Sequence, residues 1–489
     1  MKKFAKGLFV LLFAVVLATF AISCASTDNV DAQKTEKAGK QKKVKFDQVA
    51  YDEAFVNGDY ATCISMLANR KDNDDIIKDQ LDTNMLQYFL ADYEVSGKSF
   101  FETQGQMQQM NADMTAAKVV GAALGGEKNV NYSGAIYERL LTYSMRIVNS
   151  MAAGKMDEAQ GVVNTYVGDY RDIIAPLVLQ QREIAAESEG VLDDPKVSSS
   201  IAILGGFVSL DIANLKEGIP PKSDVMYETS AFLSYLGTLV YAANNDPDHA
   251  VDFASVMKTK LPDFDVTEDI TIPAGKGRLN VLSLAGTIGK RADSNIPKVV
   301  LFTMGQNYGK EIPVYFKPSY PIFDPAAQNH AIKSVRVKLS NGDVKDSVII
   351  ENFDEAVAID VASKARGAFN RSIFRNIVKT AGIIPTTIAA LEGVEKAKSA
   401  SPIAGIAAEV AMQAAIAGIG AIADAEVADT RQGSYFPNFA SSAGFTVDPG
   451  TYTVTVEYLN DDTIVDTKVF ENVVVEEGKL SIKVSSCEK

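Results

Sequence analysis

The chain has 489 residues, with 48 Lys and Arg against 62 Asp and Glu and a formal net charge of −14. Charge of that sign gives no attraction to nucleic acid or to an anionic lipid surface, and no run of Lys or Arg interleaved with aromatics offsets it. The length and the 47% apolar content predict two or three domains with real cores.

Lys2, Lys3 and Lys6 precede an apolar stretch over residues 8–22, broken only by Thr19 and ending at Ala21-Ile22-Ser23-Cys24. The stretch is shorter than the roughly 20 residues of a spanning helix, and the layout is that of a secretory signal peptide over residues 1–23. The small residue before Cys24 resembles a bacterial lipobox, with Ala21 where Leu is commonest. The expectation is cleavage before Cys24, a diacylglyceryl group on its thiol and acylation of the new N-terminus. Two or more acyl chains anchor stably, since each buried CH₂ contributes about 0.8 kcal/mol. Ala25 in place of Asp favours, by resemblance to enterobacterial sorting, the periplasmic face of the outer membrane over the inner membrane. The leader takes Lys2, Lys3 and Lys6 and no acid with it, so the formal charge moves from −14 to −17. Residues 24–45 are polar and charged and predict a flexible tether between lipid and fold.

Over residues 46–264 apolar side chains recur at three- and four-residue spacing, which predicts helices. Three phrases share one logic: Tyr51 to Ala61 around Asn57-Gly58-Asp59, Met151 to Ala159 around Gly154, and Tyr235 to Phe253 around Asn245-Asp246-Pro247. Gly or Asn accepts a left-handed helix C-cap, an acidic residue caps the next helix, and Ala lets the pair approach closely. The third phrase, with Pro262 beyond it, resembles a tetratricopeptide (TPR) repeat. The irregular spacing predicts a TPR-like array with inserted helices. Residues 97–131, rich in Gly, Met and Gln, admit a mobile loop, a membrane-facing segment or, most plainly, a variable helix-loop insertion.

Residues 265–351 turn β-rich. Segments at 269–273, 277–284, 298–302, 312–316 and 332–339 read as strands, and Asn341-Gly342 as a hairpin turn before 344–350. Residues 352–427 return to helix. In the Ala/Gly/Ile-rich stretch 403–422, Glu409 makes a membrane span costly, and a buried, tightly packed helix is the better reading. Lys364, Arg366, Arg371, Arg375 and Lys379 give the preceding helix a basic face, solvated or paired with the acidic helical part. Alternating strands resume over residues 428–489 and are expected to complete a sandwich begun near Ile270, with the helices as an insertion. The fold class expected is α+β: an N-terminal TPR-like array, then a β-sandwich-like region interrupted by a helical insertion.

No GxSxG, HExxH or phosphate-loop pattern occurs. Cys63 and Cys487 admit one disulfide or two separate thiols, the latter being simpler, and His249 and His330 are far apart in sequence. No catalytic residue, cofactor or metal site is expected. Asp193-Asp194 and Asp461-Asp462 read as turn residues, and Asp429 with Arg431 as an internal ion pair.

Several phrases come in register along residues 131–437: Tyr132-Ser-Gly134-Ala-Ile-Tyr137-Glu138-Arg139, Gly154-Lys-Met-Asp-Glu158-Ala159, Tyr235-Leu-Gly237 onward to Ala250, Ala274-Gly-Lys-Gly277-Arg-Leu-Asn, and Ala428-Asp429-Thr430-Arg431 before Phe436-Pro437. Together they resemble a family of bacterial TPR-containing lipoproteins without an assigned reaction, often found near lipoproteins that activate penicillin-binding proteins. The resemblance implies work in envelope assembly. On the first phrase Tyr137 and Leu140 are expected inward and Arg139 outward. The function expected first is a scaffold, held to the membrane through lipidated Cys24, that binds another envelope protein through its helical domain. The alternative is a periplasmic carrier of a small molecule or lipid, with a pocket between the helical and β parts lined by the Met-rich segment and the Ala/Gly-rich helix.

Overall fold

A repeated turn organises the helical part. The computed structural model describes residues 46–489 apart from 71–74, 113, 198, 201–218, 298, 305–310 and 325–329. The leader, Cys24 and the tether lie outside the described residues. Helices α1 (Gln48–Val56) and α2 (Tyr60–Ala68), α3 (Ile76–Phe89) and α4 (Tyr93–Asn111), α6 (Ile136–Ala152) and α7 (Met156–Asp169), and α9 (Ala231–Ala243) and α10 (Pro247–Lys258) form hairpins, with α5 (Ala116–Ala123) and α8 (Ala175–Gly190) between them. Each hairpin turns through three residues, the middle one left-handed: Gly58, Ala91, Gly154 and Asn245 have φ of 73°, 58°, 74° and 60°. In each, the N–H of the third residue reaches back five positions to a carbonyl, Asp59 to Ala54, Asp92 to Gln87, Lys155 to Ser150 and Asp246 to Tyr241, at 2.8–3.1 Å. This is the Schellman closure of a helix end. The turn at Ala91 left no mark in the sequence, because Ala carries no left-handed preference. Residues 97–131 continue α4 to Asn111, pass through a short loop into α5 and leave it by a second loop, a helix-loop insertion.

Helix α9 is apolar nearly all round, and such a helix must be buried on every side; α6 carries Glu138, Arg139, Thr142, Ser144 and Asn149 among its apolar residues, yet is buried almost as fully. Helix α6 buries all but Arg146, Ser150 and Ala152, and α9 buries Ala231 through Tyr241. On one side they meet the outer helices of the hairpins. On the other they share a core with Leu282, Leu284 and Ile350 of the β part and with Phe353, the residue after β8. Arg139, expected outward, is 3% exposed for this reason.

A short helix α11 (Thr267–Ile270) stands where a first strand was expected, because Asp265 caps the Thr267 N–H and turns the chain. The strands are β1 (Gly277–Ala285), β2 (Arg291–Asp293), β3 (Val299–Met304), β4 (Ile312–Phe316), β5 (Pro321–Phe323), β6 (Ser334–Leu339), β7 (Val344–Asp346), β8 (Val348–Asn352), β9 (Phe439–Val447), β10 (Gly450–Asn460), β11 (Thr463–Val475) and β12 (Leu480–Cys487). One four-stranded sheet has the order β12-β1-β9-β8 and a second the order β11-β10-β6-β7, while β2-β5 and β3-β4 form ribbons. Strand β1 runs parallel to β12 and antiparallel to β9, and β10 pairs β6. Apolar residues of both four-stranded sheets, among them Leu279, Val281, Phe445, Val337, Val456 and Tyr458, form one buried cluster. The fold is thus α+β, helices first.

Between β8 and β9 lie α12 (Phe353–Ala400) and α13 (Pro402–Asp424), packed side by side. Asn352 caps α12 through the Asp354 N–H. The expectation of a buried helix at 403–422 is not met: only 12% of its apolar window is buried, and Ile403, Ile406 and Val410 are 66–81% exposed. Its small side chains pack close on α12 by one face, and little covers the other.

Candidate ligand cavity

The phrase Tyr132 to Arg139 enters α6 through a capping box without a capping hydroxyl. Glu138 reaches back to the Ala135 N–H at 2.6 Å and accepts the Tyr132 hydroxyl, while its other oxygen takes the Gly433 N–H at 2.7 Å. Burial pushes the Glu138 carboxyl up. Arg431 closes the same knot. It pairs with Asp429 at 2.8 and 2.9 Å, donates to the Val130 carbonyl and lies 5.3 Å from the centre of the Tyr132 ring. Two of the phrases behind the family resemblance therefore meet in space. Tyr235 on α9 meets another. Its hydroxyl bonds Asp269 at 3.1 Å, which also takes Arg278 and Asn280 of β1 at 2.8 and 2.9 Å.

Beside this knot is a cavity of about 200 Å³ between the loop after α4, α8 and α12. Its lining includes the apolar side chains of Met110, Met114, Leu177, Ile184, Met226 and Val361. The same lining carries Arg139, Arg291, Lys364 and Arg371 together with Glu127, Asp360 and Asp429. Asp360 accepts Arg291 at 2.7 Å and Lys364 at 2.7 and 2.9 Å. Burial pushes the Asp360 carboxyl up, but these two cations outweigh it and hold it below the usual carboxylate range. Arg371 grips Glu127 with two bonds of 3.1 Å, and Arg375, 1% exposed, joins Glu127 at 3.1 Å to Glu426 at 2.8 Å. Of the basic face of α12, Arg371 and Arg375 are thus turned inward onto a carboxylate from the helical part, while Lys364, Arg366 and Lys379 stay partly exposed.

Arg139 differs from its neighbours. Its Nη2 donates to the carbonyls of Met107 and Ser133, and among the described residues no carboxylate lies within ion-pair distance of it. Burial pushes its guanidinium down to about 10. Arg291 bonds Asp360 and lies 5.5 Å from the Tyr137 ring centre, yet its buried Nε has no hydrogen-bond partner.

Of the segments expected to line a pocket, the Met-rich one does, through Met110 and Met114. The Ala/Gly-rich helix α13 does not; α12 takes its place, because α13 lies on the far part of α12. Arg291 and Asp360 carried no motif in the sequence. Cys63 and Cys487 are buried free thiols, and among the described residues no group of His, Cys, Asp or Glu could hold a metal ion. No protein-family model matches the chain, and no curated protein or solved structure matches it significantly.

Proposed function

We propose that the chain is an envelope protein, lipid-anchored through Cys24 on the periplasmic face of the outer membrane, that binds a small molecule in the cavity beside α6. The observation that carries this is a cavity whose lining combines Met and Leu side chains with four cationic and three acidic ones. Such sites combine an apolar body with a few fixed polar groups. The finer fold reading belongs here too. Four identical hairpin turns support a TPR-like array, and one apolar cluster common to two four-stranded sheets supports a sandwich. The meeting of the Tyr132 and Ala428 phrases around Glu138 and Arg431 supports kinship with the TPR-containing lipoproteins, and with it a role in envelope assembly.

The experiment is native mass spectrometry of protein extracted gently from envelope membranes. The expected result is a small-molecule adduct that disappears in Ala185→Trp, which fills the cavity from a half-exposed wall position. An adduct-free native protein, or an adduct indifferent to that change, refutes the reading.

A second reading, a scaffold that holds another envelope protein, is favoured by the exposed face of α13. The inner helices of the hairpins are already covered by the protein's own β part, so a protein partner would dock on α13, where Ile406 and Val410 lie open. A photo-crosslinker at Ile406 that captures one defined protein in intact cells supports this reading, and crosslinks to lipid alone refute it.

A further inference from the structure

We propose that the cavity selects a small amphipathic monoanion, a carboxylate on a short apolar body, and that Arg139 is the group that reads its charge. This rests on the cavity being the binding site. Three observations carry it.

The first is charge. The wall holds Arg139, Arg291, Lys364 and Arg371 against Glu127, Asp360 and Asp429, one cation in excess. Asp360 is shared by Arg291 and Lys364, and Glu127 is held by Arg371 and Arg375. Arg139 has only carbonyl oxygens, and both its bonds leave from Nη2. Its Nη1 and Nε donors remain for a ligand; they point to different edges of the guanidinium, so each can give a carboxylate one charge-assisted bond. Glu138 acts on Arg139 from beyond ion-pair distance and offsets only part of its burial; a buried guanidinium so weakly matched is costly, and a bound anion lowers that cost. One unmatched charge fits a monoanion better than a phosphate dianion.

The second is the neighbouring Arg291, which also lines the cavity; its Nε is buried and has no partner among the described residues, a donor that a small shift of the side chain would offer to a ligand.

The third is size and lining. The volume of about 200 Å³ exceeds the roughly 150 Å³ void that accepts a benzene ring and falls short of the roughly 300 Å³ at which drug-sized sites begin. Met110, Met114 and Met226 give a soft wall that adapts to a short chain or ring.

The test is calorimetric titration of the leaderless protein with octanoate, octanol and octylamine. The expected result is that octanoate binds, octanol binds about tenfold or more weakly, as loss of a charge-assisted contact predicts, and octylamine does not bind. Arg139→Gln is expected to erase the preference of octanoate over octanol, and Arg139→Lys to restore part of it. Should Arg139→Gln fail to fold, Ala185→Trp decides: it must abolish octanoate binding while leaving the fold intact. Octanol binding as tightly as octanoate overturns the charge assignment while the cavity reading stands. Octanoate binding unchanged in Ala185→Trp places the site elsewhere and overturns both. Binding of none of the three probes overturns both as well.

Discussion

Replacing Arg375 with Met tests the joint between the long helix and the rest of the molecule. Arg375 is 1% exposed and bonds Glu127, Glu426 and the Ala123 carbonyl at 3.1, 2.8 and 2.6 Å. Met keeps the stem and removes the charge. Breaking a buried pair typically costs about 3–5 kcal/mol, because the partner is left buried and uncompensated. Here both partners keep another cation: Glu127 retains Arg371 with two bonds of 3.1 Å, and Glu426 retains Lys379 at 3.2 Å. The expected loss is therefore at the low end, about 3 kcal/mol. Glu426→Gln alone leaves Arg375 on Glu127 and is expected to cost about 2 kcal/mol. The double variant should cost less than the sum by about 1–3 kcal/mol, since the two changes remove one shared interaction. Urea unfolding of the leaderless protein, followed by circular dichroism, measures all three. A loss under about 0.5 kcal/mol for Arg375→Met, the size of an ordinary surface change, or strict additivity in the double variant, refutes the reasoning.

At Gly237 an added Cβ would lie 2.3–2.7 Å from three atoms of the Phe253 ring. Gly237→Ala is expected to lower Tm, because overpacking of about 1–3 kcal/mol outweighs a helix-propensity gain of about 1 kcal/mol; a raised Tm counts against the close α9–α10 contact. Burial raises Glu351 above its ordinary value of 4.5, even with Ser230 and the Phe232 N–H bonding it. Its contribution to stability is therefore full below that pH and is lost as pH rises through the folded value. The stability difference between wild type and Glu351→Gln should shift against the wild type from pH 4 to pH 8, and a difference that moves the other way refutes the sign. Cys63 and Cys487 are buried, and burial pushes the Cys487 thiol up to about 11, so neither should react with a disulfide reagent at pH 8 in the native protein. After denaturation the membrane-extracted protein should show two thiols; a third means that Cys24 carries no lipid. Cys24→Ala is expected to move the protein from the detergent to the aqueous phase, and persistence in detergent argues against the anchor.

What the sequence disclosed follows from how local each signal is. The Asn341-Gly342 turn is a two-strand event: Gly342 has φ 98° and Leu339 bonds the Asp343 carbonyl at 2.8 Å. Alternation over Ser334–Leu339 becomes alternate burial. Gly58, Gly154 and Asn245 announced their turns by residue type. The site was harder to read. Arg139 lies at a helical position whose direction depends on what packs around α6, and the helix α12 across the cavity from it comes from residues far along the chain. Arg291 and Asp360 come from a short strand and a long helix with no motif between them. The open face of α13 was misread because Ala and Gly suit a buried helix and an exposed one equally. Only the Asp429–Arg431 pair, two residues apart, could be read directly.

The placing of β1 bears on the export proposed above. Its two neighbours, β9 and β12, pair with it from about 160 and about 200 residues downstream, and such distant pairings close slowly. The sheet that covers α6 and α9 has no centre until those strands have been made and delivered. Until then the chain holds only local hairpins, which yield readily to a pulling machine. For a protein threaded through a narrow channel, this order keeps the chain pliable in transit and defers locking of the body to the far side.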